Sequence, residues 1–303
     1  MTPALAAPVT VERVTSRDGT AIGYLRVGGT GLPGLVLLHG AMEWSRSHVE
    51  LAQALTDRFT VYLPDRRGRG ISGPFTPPYE VGQDVEDMTA VLAATGARAV
   101  MGVSSGSVVW LHTLLAGAGE AAVGGIERAV LFEPPLLPDA GRAAALVARV
   151  ERELLDGDVD AALVTGMLGA EMGPAAIRRL PRGLLRRLTG FGADVEQRQQ
   201  AKRPTEGYVT MRELAPTLRQ DFALVATTAR HLDRFEQVST PVLLLGGATS
   251  PAYLRQALVI LEGVLPHVER VELAGVGHEV TGNVDRRGRP QLVADVVRGF
   301  LAG

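Results

Sequence analysis

The chain contains no cysteine. Disulfide bonds, a thiolate nucleophile and cysteine-based metal sites are therefore excluded. It also lacks a charge excess: a formal net charge of −2 offers no basic surface to nucleic acid or anionic lipid. No apolar run approaches the roughly 20 residues needed to span a bilayer. Met1 to Arg17 show no basic segment followed by an apolar one, so no secretory leader is read there. No His, Asp or Glu cluster has metal-ligand spacing. What these absences leave is a soluble, cytoplasmic globular protein with no metal, cofactor, nucleic-acid or membrane partner expected. With 303 residues, 46% of them hydrophobic, the chain is long enough for one α/β domain carrying an insertion.

What is present alternates. Val9–Ser16 and Ala21–Val27 read as a hairpin around Asp18-Gly19. Leu35–Leu38, Phe59–Leu63, Ala99–Val103, Ala129–Phe132, Pro241–Leu245 and Val268–Leu273 are short, mostly apolar runs, as expected of strands covered on both faces. Helical spacing lies between them at Ser47–Leu55, Val81–Thr95, the stretch up to Ala116, Tyr253–Leu265 and Gln291–Leu301. From Leu137 to Gln237 no strand is read; helices are predicted at Ala140–Leu155, Val159–Met172, Ala175–Leu188 and Leu218–Phe235. The pattern predicts a mostly parallel sheet with helices on both faces, built from residues 1–136 and 238–303, and a helical cap inserted at 137–237.

In open α/β sheets ligands bind at the carboxyl ends of the strands, and the chemistry-bearing residues fall there. Gly102-Val103-Ser104-Ser105-Gly106 follows one strand and opens a helix, the pattern of a nucleophile elbow. A residue at a sparsely allowed backbone angle brings its ±2 neighbours together, so those neighbours must lack bulk. Ser104 meets that condition with Gly102 and Gly106. Ser105 would have Val103 and Ser107 in those places.

Leu37-Leu38-His39-Gly40, Asp65-Arg66-Arg67-Gly68-Arg69-Gly70, Gly102–Gly106 and Gly275-Val276-Gly277-His278 together resemble the α/β-hydrolase superfamily, over nearly the whole chain. The resemblance implies Ser104 as nucleophile and His278 as general base. Imidazole can take and return the proton of a hydroxyl that is otherwise a poor nucleophile. An oxyanion hole would use the backbone N–H of Ser105 and, by the resemblance, that of Ala41, with Met42 as the second choice. Among the other histidines, His39 reads as structural, His48 and His112 fall on predicted helices with His48 a candidate for the pocket wall, and His231 and His267 read as packing or surface residues. Arg66–Gly70 lacks P-loop and dinucleotide-site context and reads as a turn held by arginine pairs. The arginines at 178, 179, 182, 186 and 187 read as solvated helix faces.

The acid departs from the common pattern. Many family members carry an aspartate after the strand that here reads Pro241–Leu245, and Ser250 stands at that place. A neutral hydroxyl does not stabilise an imidazolium as a carboxylate does. Glu133, at the end of the strand after the nucleophile helix, occupies the alternative position used by dehalogenase-type enzymes and by lactonases acting on zearalenone. The plain alternative is a loop residue fixed by Pro134-Pro135. Met42, Trp44, Leu136, Leu137 and Phe191 are expected pocket liners, with no charged clamp for phosphate or carboxylate in view. The reading that follows is a cofactor-independent serine hydrolase of an ester or lactone of a hydrophobic small molecule. The alternatives are a biosynthetic lyase, cyclase or C–C hydrolase using the same pair for proton transfer, and a ligand-binding protein on a hydrolase scaffold. Epoxide hydrolases and haloalkane dehalogenases are disfavoured, because their relatives use a carboxylate nucleophile.

Overall fold

The computed structural model describes residues 7–117, 125–137, 139–205 and 207–302; the first six residues of the expected core, and of the stretch read for a leader, lie outside them. Eight strands form one sheet: β1 Val9–Thr15, β2 Ala21–Val27, β3 Gly34–Leu38, β4 Thr60–Pro64, β5 Ala99–Val103, β6 Arg128–Phe132, β7 Val242–Gly247 and β8 Val268–Leu273. Their spatial order is β1-β2-β4-β3-β5-β6-β7-β8. β1 and β2 pair antiparallel, as do β2 and β4, and every other pairing is parallel. The hairpin turns at Gly19, whose φ of +89° suits a residue without a Cβ.

Strand periodicity divides the core. Val36, Leu38, Val100, Ala129, Leu131, Val242 and Leu244 belong to one buried cluster, and their chain neighbours Leu35, Leu37, Met101, Val130, Phe132, Leu243 and Leu245 to the other. Successive side chains of a strand point to opposite faces, so the central strands need helices on both. Two helices, α1 (Val49–Leu55) and α11 (Pro290–Leu301), supply Leu51, Leu55, Val293 and Val297 to the second cluster. On the opposite face α2 (Val81–Thr95), α3 (Ser105–Ala116) and α10 (Ala252–Glu262) supply Met88, Val91, Trp110, Leu258 and Leu261.

Between β6 and β7 the described residues contain no strand. They form α4 (Ala140–Leu155), α5 (Val159–Gly169), α6 (Ala175–Arg178), α7 (Arg182–Lys202), α8 (Met211–Leu214) and α9 (Leu218–Thr228). The helix expected over Ala175–Leu188 is broken at Pro181, which lacks the N–H a helix interior needs, and its second half runs on to Lys202. Gly190 does not end it: a Cβ there would stand 2.5 Å from Asp160 Oδ2, so close packing explains that glycine. The helix expected to reach Phe235 ends at Thr228 and passes into a separate short turn, Leu232–Gln237. No helix is long and apolar enough to cross a membrane among the described residues.

Buried charge ties this insert to the sheet. Arg66, after β4, donates to Asp84 on α2 at 2.8 Å and to Asp221 on α9 at 2.6 Å. Arg69 donates to the other Asp221 oxygen at 2.7 Å and to the Gly40 carbonyl at 2.9 Å. Ser105 donates to Asp221 at 2.9 Å. Burial opposes ionisation of Asp221, but Arg69 and Arg66 outweigh it and hold the carboxyl below its ordinary value. These side chains are at most 4% exposed, so removing one partner strands the others without water. Asp221→Ala is expected to lower stability by about 3–5 kcal/mol, the usual cost of breaking a buried pair from one side, measured by urea denaturation.

Candidate active site

Ser104 joins β5 to α3 with φ 52° and ψ −123°. This is a strained conformation for a residue with a side chain, and its neighbours show what allows it. A Cβ on Gly102 would lie 2.5 Å from Ser107 Cα, and one on Gly106 would lie 2.5 Å from the carbonyl oxygens of Leu38 and His39. Ser104 N–H bonds the Phe132 carbonyl at 2.8 Å, pinning the turn to the end of β6. Ser105 begins α3, where N–H groups have no partner within the helix and the helix dipole favours negative charge.

Glu133 follows β6 with φ 46° and is fully buried. Its N–H bonds the Leu245 carbonyl at 3.0 Å, and its Oε1 accepts the Gly247 N–H at 2.7 Å. Oε2 lies 2.5 Å from His278 Nδ1. A carboxylate only accepts, so Nδ1 carries the proton and the neutral ring keeps its lone pair on Nε2. Room for the carboxylate comes from Gly246, whose Cβ would lie 3.2 Å from Glu133 Oε1. Ser250, at the position many relatives give to an aspartate, is buried with no hydrogen-bond partner for its hydroxyl among the described residues.

Ser104 and His278 line one cavity of about 500 Å³, with Ala41, Met42 and Ser105 beside them. Met167, Phe222 and Val225 of the insert and Leu137 give it a largely apolar wall. Three expected liners are elsewhere. Leu136 points into the sheet core, Phe191 is 66% exposed on the outer face of α7, and Trp44 is buried behind the wall. Position near a strand end or in the insert does not say which way a side chain turns. A second cleft, of about 800 Å³ between Arg69, Phe75 and Tyr208, includes none of Ser104, Glu133 and His278.

Several groups at the site were not picked out from the sequence. Glu43 Oε2 accepts the Gly40 N–H at 2.7 Å and faces His48 Nε2 at 3.0 Å. The Gly40 N–H is thereby taken within the protein. His48 Nδ1 reaches the Thr281 carbonyl at 2.9 Å. Both ring nitrogens thus face acceptors, which calls for an imidazolium paired with a carboxylate. Burial works against both charges. The His48 charge nevertheless holds Glu43 down to about 2, and Glu43 raises His48. His39 behaves oppositely: burial, then Arg69, lower it, and its neutral ring faces the Gly40 carbonyl through Nδ1 while accepting the Arg66 N–H at Nε2. Arg286 also lines the cavity, 4.8 Å from the centre of the Trp44 ring.

Residues 35–296 match the alpha/beta hydrolase family. Among solved structures, an alpha/beta hydrolase from Sphaerobacter thermophilus aligns over 96% of this chain and 100% of its own, with 30% identity and a TM-score of 0.70. An esterase from Rhodococcus sp. ECU1013 covers 97% of this chain and 98% of its own at 21% identity and a TM-score of 0.66, a likeness of fold. A 3-hydroxybutyrate-oligomer hydrolase of Cupriavidus necator is 27% identical over 264 residues, 82% of this chain and 83% of that one.

The Glu43–His48 pair carries a pH signature. The raised His48 stabilises fully below its ordinary value of 6.5 and loses that contribution as pH rises through its folded value. The lowered Glu43 stabilises above its ordinary value of 4.5 and loses that contribution as pH falls toward about 2. The melting-temperature advantage of the native protein over His48→Gln is therefore expected to peak between these two ordinary values and to shrink on the alkaline side, as measured by thermal melts across pH.

Proposed function

Because the chain belongs to the alpha/beta hydrolase family, we propose that it is a cofactor-independent serine hydrolase of a carboxylic ester or lactone with a mostly apolar body. The observation that carries this reading is the 2.5 Å contact of His278 Nδ1 with Glu133 Oε2, made at the cavity that Ser104 also lines. In this reading His278 Nε2 takes the Ser104 proton as Oγ attacks the carbonyl carbon. Glu133 fixes the tautomer and stabilises the imidazolium that forms. The N–H groups of Ser105 and Ala41 receive the charge that develops on the carbonyl oxygen. His278 then returns the proton to the leaving alcohol, and in the second half-reaction it activates the water that releases the acid from Ser104.

The substrate class rests on the wall. Met42, Leu137, Met167, Phe222 and Val225 accept an apolar chain by burial. The Cupriavidus necator relative is named for an oligomer of a hydroxy acid, which supports an ester bond as the one cleaved; a lactone is the cyclic form of the same bond. The intact Glu133–His278 pair weighs against a scaffold that has kept only ligand binding.

Initial rates on para-nitrophenyl butyrate test the assignment. Ser104→Ala is expected to cost about four orders of magnitude or more in kcat. Glu133→Gln, which disturbs the tautomer with little change of shape, is expected to cost about 10²–10⁴ with little effect on KM. Unchanged turnover in either variant contradicts the role given to that residue.

A further inference from the structure

The cavity wall is largely apolar; besides Tyr253 its charged or titratable groups are Glu43, Asp221, His278 and Arg286. Two are paired with opposite charge, and a third is an imidazole held by a carboxylate. Glu43 faces His48 at 3.0 Å, Asp221 takes Arg66 and Arg69 at 2.6 and 2.7 Å, and His278 faces Glu133 at 2.5 Å. Arg286 is different: no carboxylate among the described residues stands within ion-pair distance of it. Glu196, which shares the Tyr208 neighbourhood, is already engaged by the Tyr208 hydroxyl at 2.6 Å and the Met211 N–H at 3.0 Å. Arg286 thus brings to the cavity wall a guanidinium that no carboxylate touches directly, beside the Tyr208 hydroxyl.

The guanidinium, on an exposed residue, has an aromatic support. It lies over the Trp44 ring at 4.8 Å, and Trp44 is itself fixed by an Nε1–H bond to the Gly207 carbonyl at 3.0 Å and by edge contact with Tyr208 at 5.3 Å. The loop beneath is pinned as well. Asn283 bonds the Ser47 and Arg46 carbonyls at 3.2 and 2.9 Å and accepts the Glu50 N–H at 3.1 Å. Arg286 N–H and Gly288 N–H both return to the Asn283 carbonyl, and a Cβ on Gly288 would lie 1.6 Å from the Gly282 carbonyl oxygen. Stacking on a fixed ring lowers the cost of ordering a long side chain when a ligand arrives. A planar fork of N–H donors on such a support matches a carboxylate with two parallel bonds.

We infer that Arg286 forms a carboxylate subsite, so that the favoured substrates are esters whose acyl or alcohol part ends in a free carboxylate. This rests on the ester-hydrolase reading and narrows it. It also amends the expectation, drawn from sequence, that the pocket has no charged clamp.

The test compares kcat/KM for the native full chain, Arg286→Met and Arg286→Lys on two matched substrate pairs. One pair is the mono-para-nitrophenyl ester of glutaric acid against para-nitrophenyl butyrate, placing the carboxylate on the acyl side. The other is the butyrate ester of a hydroxy acid against that of its methyl ester, placing it on the alcohol side. Arg286→Met is expected to lower the carboxylate-to-neutral ratio about tenfold or more in at least one pair, mainly through KM. Arg286→Lys, which keeps the charge but not the fork, is expected to lose only part of it. In the native protein the same ratio is expected to fall with added salt, a readout independent of how the variants fold. A ratio unchanged by Arg286→Met in both pairs, or indifferent to salt in both, overturns the subsite and leaves the hydrolase reading standing. No turnover of any of these esters by the native protein overturns both.

Discussion

Glu133 is the point at which three strand ends meet. Its backbone takes the Leu245 carbonyl of β7, one carboxylate oxygen takes Gly247 at the end of the same strand, and the other takes His278 in the loop after β8. A fully buried carboxylate is costly to desolvate unless its lone pairs are used, and here both oxygens are. The imidazole orientation that the proposed chemistry requires is thus fixed by the same bonds that make the burial tolerable. Beside it, β6 also holds the nucleophile turn through the Phe132 carbonyl and Ser104 N–H. One strand end thus fixes both Glu133 and the Ser104 turn.

The insert is attached on similar terms. Arg66 and Arg69 extend from the loop after β4 to Asp221 on α9, while Arg69 also holds the Gly40 carbonyl and Asp221 accepts the Ser105 hydroxyl. The cavity wall and the two loops proposed to supply the oxyanion N–H groups therefore share one set of buried bonds. Such bonds lock geometry more than they add net stability. On the far side of the Gly40 loop, Glu43 and His48 connect Gly40 to Thr281, three residues after His278. Preorganisation of this kind is what electrostatic stabilisation of a transition state requires.

Much of this was legible in the sequence, for identifiable reasons. Short apolar runs of β type announce strands buried on two faces, and the turn chemistry at their ends falls on one edge of the sheet. Ser104 was separable from Ser105 because a tight turn constrains its ±2 neighbours whatever surrounds it. Glu133 came forward as a candidate because Ser250 left the usual place without a carboxylate, and the structure sets it against His278 Nδ1. What escaped notice depends on partners distant in the chain. His48 meets Thr281 across 233 positions and Asp221 meets Ser105 across 116, and no local pattern announces either. Arg286 sits in an exposed run of charged residues, where a cavity-facing cation looks like any solvated one. Leu136 and Phe191 were misplaced because apolar character does not say which way a residue faces. The helix boundaries of the insert shifted where Pro181 interrupts and where Gly190 packs closely without interrupting.

The central claim is that Ser104, and not its neighbour, is a nucleophile activated by His278 and Glu133. Mass spectrometry of the protein after treatment with a fluorophosphonate addresses it most directly. The account predicts a single covalent adduct on Ser104, formed slowly or not at all when Glu133 is replaced by glutamine. An adduct on Ser105, or an unmodified protein, would contradict it.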